Sequence, residues 1–277
     1  MPRQRVFVQV DVFGDGSCTG NPVAVVLDAA GMQTAEMQRF AHWTNLSETT
    51  FVLAPEDAHA DYGVRIFTPD RELPFAGHPT LGTCHAWLEA GGSAGDVIRQ
   101  QCDAGIVEIR RGPGGRLAFA APPLLRSGPV EPEVLAEVRR ALGLREDEVV
   151  DAQWVDNGPG WVAVLLDSAE RVLAIEPRFS ELDIGAVGPA AEGDDEALEV
   201  RAFLPKHGAP DEDPVTGSLN ASLAGWLLET GRVRAPYVAR QGTALGRRGR
   251  VHVDRDPDGT VWVGGATETL VEGTVSL

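Results

Sequence analysis

The chain has 277 residues, 43% hydrophobic and 23% charged, enough for a large buried core and for two domains of ordinary size. Its formal charge of −17 argues against nucleic acid and anionic membrane as partners, because an acidic surface repels both. Three widely separated cysteines, Cys18, Cys84 and Cys102, form no CxxC pair and suggest a reducing compartment without a disulfide framework.

In chain order the elements read as follows. "MPRQRVFVQVDVFG" alternates like a strand and lacks the apolar centre of an export signal. No apolar run approaches the ~20 residues of a membrane span, so the expected location is cytoplasmic. "FGDGSCTGNPVAVV" (13–26) is glycine-rich but leads into a β-branched run. It therefore joins two strands and does not open the helix that a dinucleotide loop requires. A helix, "TAEMQRFAHWTN", precedes the strands "TTFVLAP" and "YGVRIFTP". A second helix is expected in "PTLGTCHAWLEAG", followed by the strand "IVEIRRG". The stretch 120–133, rich in proline and small residues, reads as a connection between domains. Beyond it come a helix, "EPEVLAEVRRALGL", and strands in "AQWVDNGPGWVAVLLD" and "ALEVRAFLP". A helix in "SLNASLAGWLLETG" and strands in "RVHVDRD" and "TVWVGGATETLVEGTVSL" complete the chain. Strands outnumber helices and often follow one another directly, which predicts an α+β fold with antiparallel pairing. The basic run Arg247-Arg248-Gly249-Arg250 reads either as a solvated turn between strands or as a local grip on an anion.

The order of elements repeats. Glu72-Leu73-Pro74-Phe75-Ala76-Gly77-His78 lies over Glu212-Asp213-Pro214-Val215-Thr216-Gly217-Ser218 at a constant displacement of 140 residues. Leu88-Glu89 then falls on Leu228-Glu229, and Gly91 on Gly231. Upstream, Arg65-Ile66-Phe67-Thr68-Pro69 matches Arg201-Ala202-Phe203-Leu204-Pro205, and "PVAVVLD" (22–28) matches "WVAVLLD" (161–167). These matches in one order predict two copies of a βα unit, and hence two similar domains.

Each copy sends a glycine and a polar residue into a helix, Gly77-His78 in one and Gly217-Ser218 in the other. Pro79 is expected at the first helical position and Ser218 at the N-cap. A helix N-terminus offers unpaired N–H groups and the positive end of the macrodipole, so two such ends could clamp a carboxylate. The alternative is two plainly capped helices. The copies differ in polar residues, with Asp213 where the first has Leu73 and Ser218 where it has His78, as an asymmetric site would require. His42, His59, His85, His207 and His252 lack such a setting. No HExxH or CxxC spacing points to zinc. Glu48, in "NLSETTFVLAP", sits at the mouth of an apolar strand. Half-buried there, its carboxyl would be raised toward the range a general base needs; an exposed turn glutamate is the other reading.

"RIFTPDRELPFAGHPTLGTCHAWL", "NLSETTF", "GNPVAVV" and "DEDPVTGSLNASLAGWL" together resemble the PhzF-like proteins, phenazine-biosynthesis isomerases and their relatives within the diaminopimelate epimerase-like superfamily. The resemblance spans nearly the whole chain. It implies two similar domains, each a curved, mostly antiparallel sheet around a central helix, related as a pseudo-two-fold duplication. The domains would be 1–120 and 121–265, with a C-terminal strand of about 266–277 returning to the first. It also implies that a glutamate, here Glu48, shuttles a proton on trans-2,3-dihydro-3-hydroxyanthranilate without a cofactor or metal. His78 and Asp213 would orient the substrate or relay protons, and Gly77, Gly217 and Ser218 would bind it. The epimerases of the superfamily carry cysteines just before the two motif glycines. Ala76 and Thr216 stand there in this chain, and neither can act as a thiolate base. The expected partners are a small carboxylic acid and, in a homodimer, a second copy of the chain. A binding or regulatory protein that kept the cleft without turnover is the alternative.

Overall fold

The computed structural model describes residues 3–206 and 209–277. In chain order the elements are β1 (Gln4–Val12), β2 (Asn21–Val26), α1 (Thr34–Thr44), β3 (Glu48–Leu53), β4 (Tyr62–Phe67), β5 (Glu72–Leu73) and α2 (Gly77–Glu89). Then come β6 (Val97–Cys102), β7 (Gly105–Arg111), β8 (Leu117–Ala120), β9 (Arg126–Pro129), α3 (Pro132–Leu142), β10 (Asp151–Asp156), β11 (Val162–Leu165) and α4 (Ala169–Leu173). The last are β12 (Ile184–Pro189), β13 (Leu198–Lys206), β14 (Ala209–Asp213), α5 (Gly217–Glu229), β15 (Tyr237–Gln241), β16 (Gly249–Arg255), β17 (Val261–Gly265) and β18 (Thr267–Ser276). The chain divides into two units, residues 1–120 with 264–277, and residues 121–263.

In the first unit β18 pairs antiparallel with β1, and β1 with β2. β2 runs parallel to β3, β3 antiparallel to β4, and β4 parallel to β6, which continues antiparallel through β7 to β8. α2 packs against β1, β2, β3, β6, β8 and β18. Enclosure by strands explains its composition: every residue from Gly77 to Cys84 is buried, so the helix is apolar or small nearly all round rather than amphipathic.

The second unit repeats this plan. β9 pairs antiparallel with β10, and β10 with β11; β11 runs parallel to β12; β12 is antiparallel to β13; β13 is parallel to β15; and β15 is antiparallel to β16. α5, with Gly217–Ala224 all buried, is its enclosed helix. The correspondence extends to register. β5 meets β4 with Phe67 opposite Glu72 and Ile66 opposite Leu73, and β14 meets β13 with Phe203 opposite Glu212 and Ala202 opposite Asp213. Both short strands lead straight into a 13-residue helix beginning at the motif glycine. The fold is α+β of the diaminopimelate epimerase-like kind, each unit a mostly antiparallel sheet with a buried helix.

Several elements escape the pattern of the sequence. β5, β8, β9 and β14 are only two to five residues long, too short for a period of two to register. β6 carries Arg99, Gln100 and Gln101, and β15 Arg240 and Gln241, so neither looks apolar.

Candidate active site

In the first unit the local geometry starts at the β1–β2 loop. Asp11 accepts the N–H groups of Thr19 at 3.0 Å and of Gly20, through both carboxylate oxygens, at 3.1 and 3.0 Å. A Cβ on Gly20 would lie 2.1 Å from the Val12 carbonyl oxygen, so only glycine fits. This fixes the next residue, Asn21, which is fully buried, with its Nδ2 3.4 Å from His78 Nδ1.

His78 is the second residue of α2. Ala76 is the N-cap, with extended backbone (φ −152°, ψ 139°), and Thr80 N–H makes the bond back to Ala76 C=O at 3.2 Å. Pro79 is therefore third in the helix, not first as the sequence suggested. The position tolerates it for the same reason, since the first N–H groups of a helix have no internal acceptor. His78 is 3% exposed, and burial pushes its pKa down to about 3, opposed in part by a hydrogen bond with the Pro22 backbone. The imidazole is neutral at physiological pH.

Glu48 opens β3, at the strand mouth. α1 ends at Asn45 in the left-handed region (φ 54°), which turns the chain into the strand. Thr44 and Thr49 hydroxyls meet at 2.9 Å across that turn, and Thr83 of α2 donates to Thr50 at 2.8 Å, seating β3 on the helix. The Glu48 side chain is 15% exposed, and its Oε2 lies 3.3 Å from His78 Nε2. The structure thus brings a carboxyl and a neutral imidazole together at the N-terminal turn of an enclosed helix.

The second unit builds its counterpart differently. Thr216 is the N-cap of α5 and Ser218 is the second helical residue, which corrects the expectation that Ser218 caps the helix. Thr216 does not cap by its side chain either, because Gln241 takes over. Fully buried, Gln241 accepts from Thr216 N–H at 3.0 Å and Asn220 Nδ2 at 2.8 Å, and donates to Asp213 C=O at 3.0 Å and Thr216 Oγ1 at 2.9 Å. The Thr216 hydroxyl is left to donate to Asp213 Oδ2 at 2.6 Å. Asp213 is therefore held as an acceptor beside the start of the helix. Ser218 is 8% exposed; its Oγ accepts from Trp161 Nε1 at 3.1 Å and its C=O from Asn157 Nδ2 at 3.0 Å.

Neither α2 nor α5 has an acidic residue in its first turn, so no side chain of the helix neutralises the positive end of either macrodipole. Ala76 and Thr216 precede the two motif glycines. Of the cysteines, Cys84 is buried and its thiol is pushed up to about 12, and Cys102 is also raised by burial. Neither is a nucleophile at neutral pH. Among the described residues no group of three or more His, Cys, Asp or Glu side chains is gathered to hold a metal. No helix among them is long and apolar enough to cross a membrane.

The remaining sequence candidates fall elsewhere. His85 is more engaged than the sequence suggested: Thr267 and Thr269 hydroxyls lie 3.0 and 3.1 Å from its two ring nitrogens, and Glu89 at 3.3 Å. His207 lies outside the described residues. Of the basic run, Arg247 and Arg248 lie in the connection between antiparallel β15 and β16, while Gly249 and Arg250 open β16, where Arg250 pairs with Glu196 at 2.5 Å. Asn157, Trp161 and Gln241 were not legible as site residues. Only Trp161 carried a signal: it stands where the first copy has Pro22, a large aromatic at the mouth of a buried strand.

Residues 10–273 match the family described as phenazine biosynthesis-like protein. Antisense-enhancing sequence 1 of Schizosaccharomyces pombe is 35% identical, with 98% of each chain covered. The trans-2,3-dihydro-3-hydroxyanthranilate isomerase of Pseudomonas fluorescens is 34% identical, with 87% of each covered. The crystal structure of a Bacillus anthracis phenazine biosynthesis protein of the PhzF family shares the fold, with a TM-score of 0.81 at 23% identity over 99% of this chain and 100% of that one. The match runs across both units and through both helix-opening motifs, and by it the chain belongs to the phenazine biosynthesis-like protein family.

Proposed function

We propose that this protein is a cofactor-independent isomerase that moves a proton on a small carboxylic acid of the trans-2,3-dihydro-3-hydroxyanthranilate type, with Glu48 as the one acid–base group. The observation that carries the reading is the 3.3 Å approach of Glu48 Oε2 to His78 Nε2. A neutral imidazole at that distance can hydrogen-bond the carboxyl or pass a proton to it, as a group that takes up and returns a proton requires. Ala76 and Thr216, where the epimerases carry thiols, also favour a single carboxylate.

In the proposed step Glu48 takes a proton from one carbon of the ring. The electron pair left behind delocalises through the conjugated system, and the same carboxyl returns the proton to another carbon on the same face. Bonds to hydrogen made and broken balance, so nothing is oxidised or reduced and no co-reactant is consumed. His78 orients the substrate or relays the proton. In the first unit Gly77 binds the acid; in the second, Asp213 is an acceptor for an amine or hydroxyl, and Gly217 and Ser218 offer contacts to a carboxylate. The Pseudomonas fluorescens relative, named for this reaction, supports the choice of substrate.

The test is to incubate the purified protein with trans-2,3-dihydro-3-hydroxyanthranilate, without added cofactor, and to follow the product by NMR. Consumption at a rate proportional to enzyme concentration is expected. A protein that binds the acid and leaves it unchanged would instead be a binding protein.

A further inference from the structure

The loop joining β10 to β11 is closed on itself. Asp156 Oδ1 accepts the N–H groups of Gly158 and Gly160, both at 2.7 Å, and Val155 N–H bonds Trp161 C=O at 3.0 Å. Two of its side chains end on one residue of α5: Trp161, 1% exposed, donates to the Ser218 hydroxyl, and Asn157 donates to the Ser218 carbonyl. The donor inventory then fixes what is left over. An indole N–H can only donate, so Ser218 Oγ is the acceptor in that bond and its own hydrogen must go elsewhere. Among the described residues no acceptor takes it. A carbonyl can only accept, so Asn157 must turn its Nδ2 to Ser218 and its Oδ1 away. That oxygen is buried, has no partner among the described residues, and belongs to a residue only 9% exposed. A buried amide oxygen is stable there only when something donates to it.

We infer that this loop reads the ligand of the α5 half-site. Trp161 sets Ser218 as a donor to an anionic oxygen, and Asn157 Oδ1 accepts from an amine or hydroxyl of the same ligand. The inference rests on the proposed role of Ser218 as a substrate contact and deepens it by naming the two residues that set its hydroxyl and read the donor beside the carboxylate. Trp161 is a positioning residue, acting through Ser218, and Asn157 a specificity residue.

Calorimetric binding of anthranilate, which has both groups, and benzoate, which has only the carboxylate, tests both roles. Trp161→Phe and Ser218→Ala should each weaken both acids about five- to tenfold, the worth of one hydrogen bond. The double variant should bind no more weakly than Ser218→Ala alone, because the indole acts only through the hydroxyl. A packing defect would instead multiply the two losses and overturn the role of Trp161. Ser218→Thr, which keeps the hydroxyl, should restore binding. Asn157→Ala should lower the preference for anthranilate over benzoate about five- to tenfold, the worth of one hydrogen bond; an unchanged preference would overturn the role of Asn157. Wild-type protein that binds neither acid would overturn the whole inference. Wild-type protein that shows this pattern yet isomerises nothing would leave the inference standing and remove the isomerase reading.

Discussion

His78 was legible in the sequence as a histidine flanked by Gly77 and Pro79, but its charge state was not, because burial belongs to the whole sheet around α2. Held at about 3 when folded and about 6.5 when unfolded, the ring binds fewer protons folded than unfolded between those values. The stability it contributes is complete above about pH 6.5 and is lost as pH falls toward 3. Between pH 7 and 4.5 the loss from this one group is about 2–3 kcal/mol, less whatever the charged ring would regain from the neighbouring Glu48. His78→Gln cannot titrate, so urea unfolding at the two pH values should show a correspondingly shallower acid loss. Parallel curves for the two proteins would mean that the ring is not desolvated. The Ser218 reading illustrates the opposite limit. Serine is a good N-cap by propensity, yet the cap falls on Thr216 because Gln241, 25 positions along the chain and on another strand, supplies the acceptor that the helix N-terminus needs. A partner so distant leaves no local pattern.

Among elements, the paired units β4–β5–α2 and β13–β14–α5 carry the clearest repeated device. Arg65 grips Glu72 through two bonds of 2.6 and 2.5 Å and lies over Phe67 at 5.2 Å; Arg201 grips Glu212 at 2.9 and 2.7 Å and lies over Phe203 at 4.8 Å. The sequence match of Arg-x-Phe-x-Pro and Glu-x-Pro-x-x-Gly is thus a match of geometry: each arginine is anchored across the strand pair that aims the helix. The environments differ. The first pair is about one-third exposed, the second only 5% and 9%. Glu72→Ala should therefore cost at most about 1 kcal/mol, and Glu212→Ala about 3–5 kcal/mol, because the latter strands a buried guanidinium. Arg201 keeps the Val172 and Ile175 carbonyls, at 3.2 and 2.8 Å, which places the loss toward the lower end. Equal costs in urea unfolding would contradict the account.

For the molecule as a whole, the duplication was readable because helix and strand mouths must keep glycine, proline and arginine wherever the backbone demands them. What diverged is what the backbone does not demand: Leu73 against Asp213, His78 against Ser218, Ala76 against Thr216. The units share a frame and differ in chemistry, one holding a carboxyl beside a neutral imidazole and the other an aspartate that accepts from Thr216 and a buried serine held by Trp161 and Asn157 at the start of its helix. The central claim is that one residue of the first unit, Glu48, moves the proton. Deuterium exchange at the acidic carbon of trans-2,3-dihydro-3-hydroxyanthranilate in heavy water tests it most directly, comparing wild type with Glu48→Gln. The variant keeps size and hydrogen bonding but not proton transfer. Exchange should fall by about 10²–10⁴-fold while the affinity for the acid changes little. Exchange at the wild-type rate in Glu48→Gln would show that another group moves the proton and would contradict the mechanism.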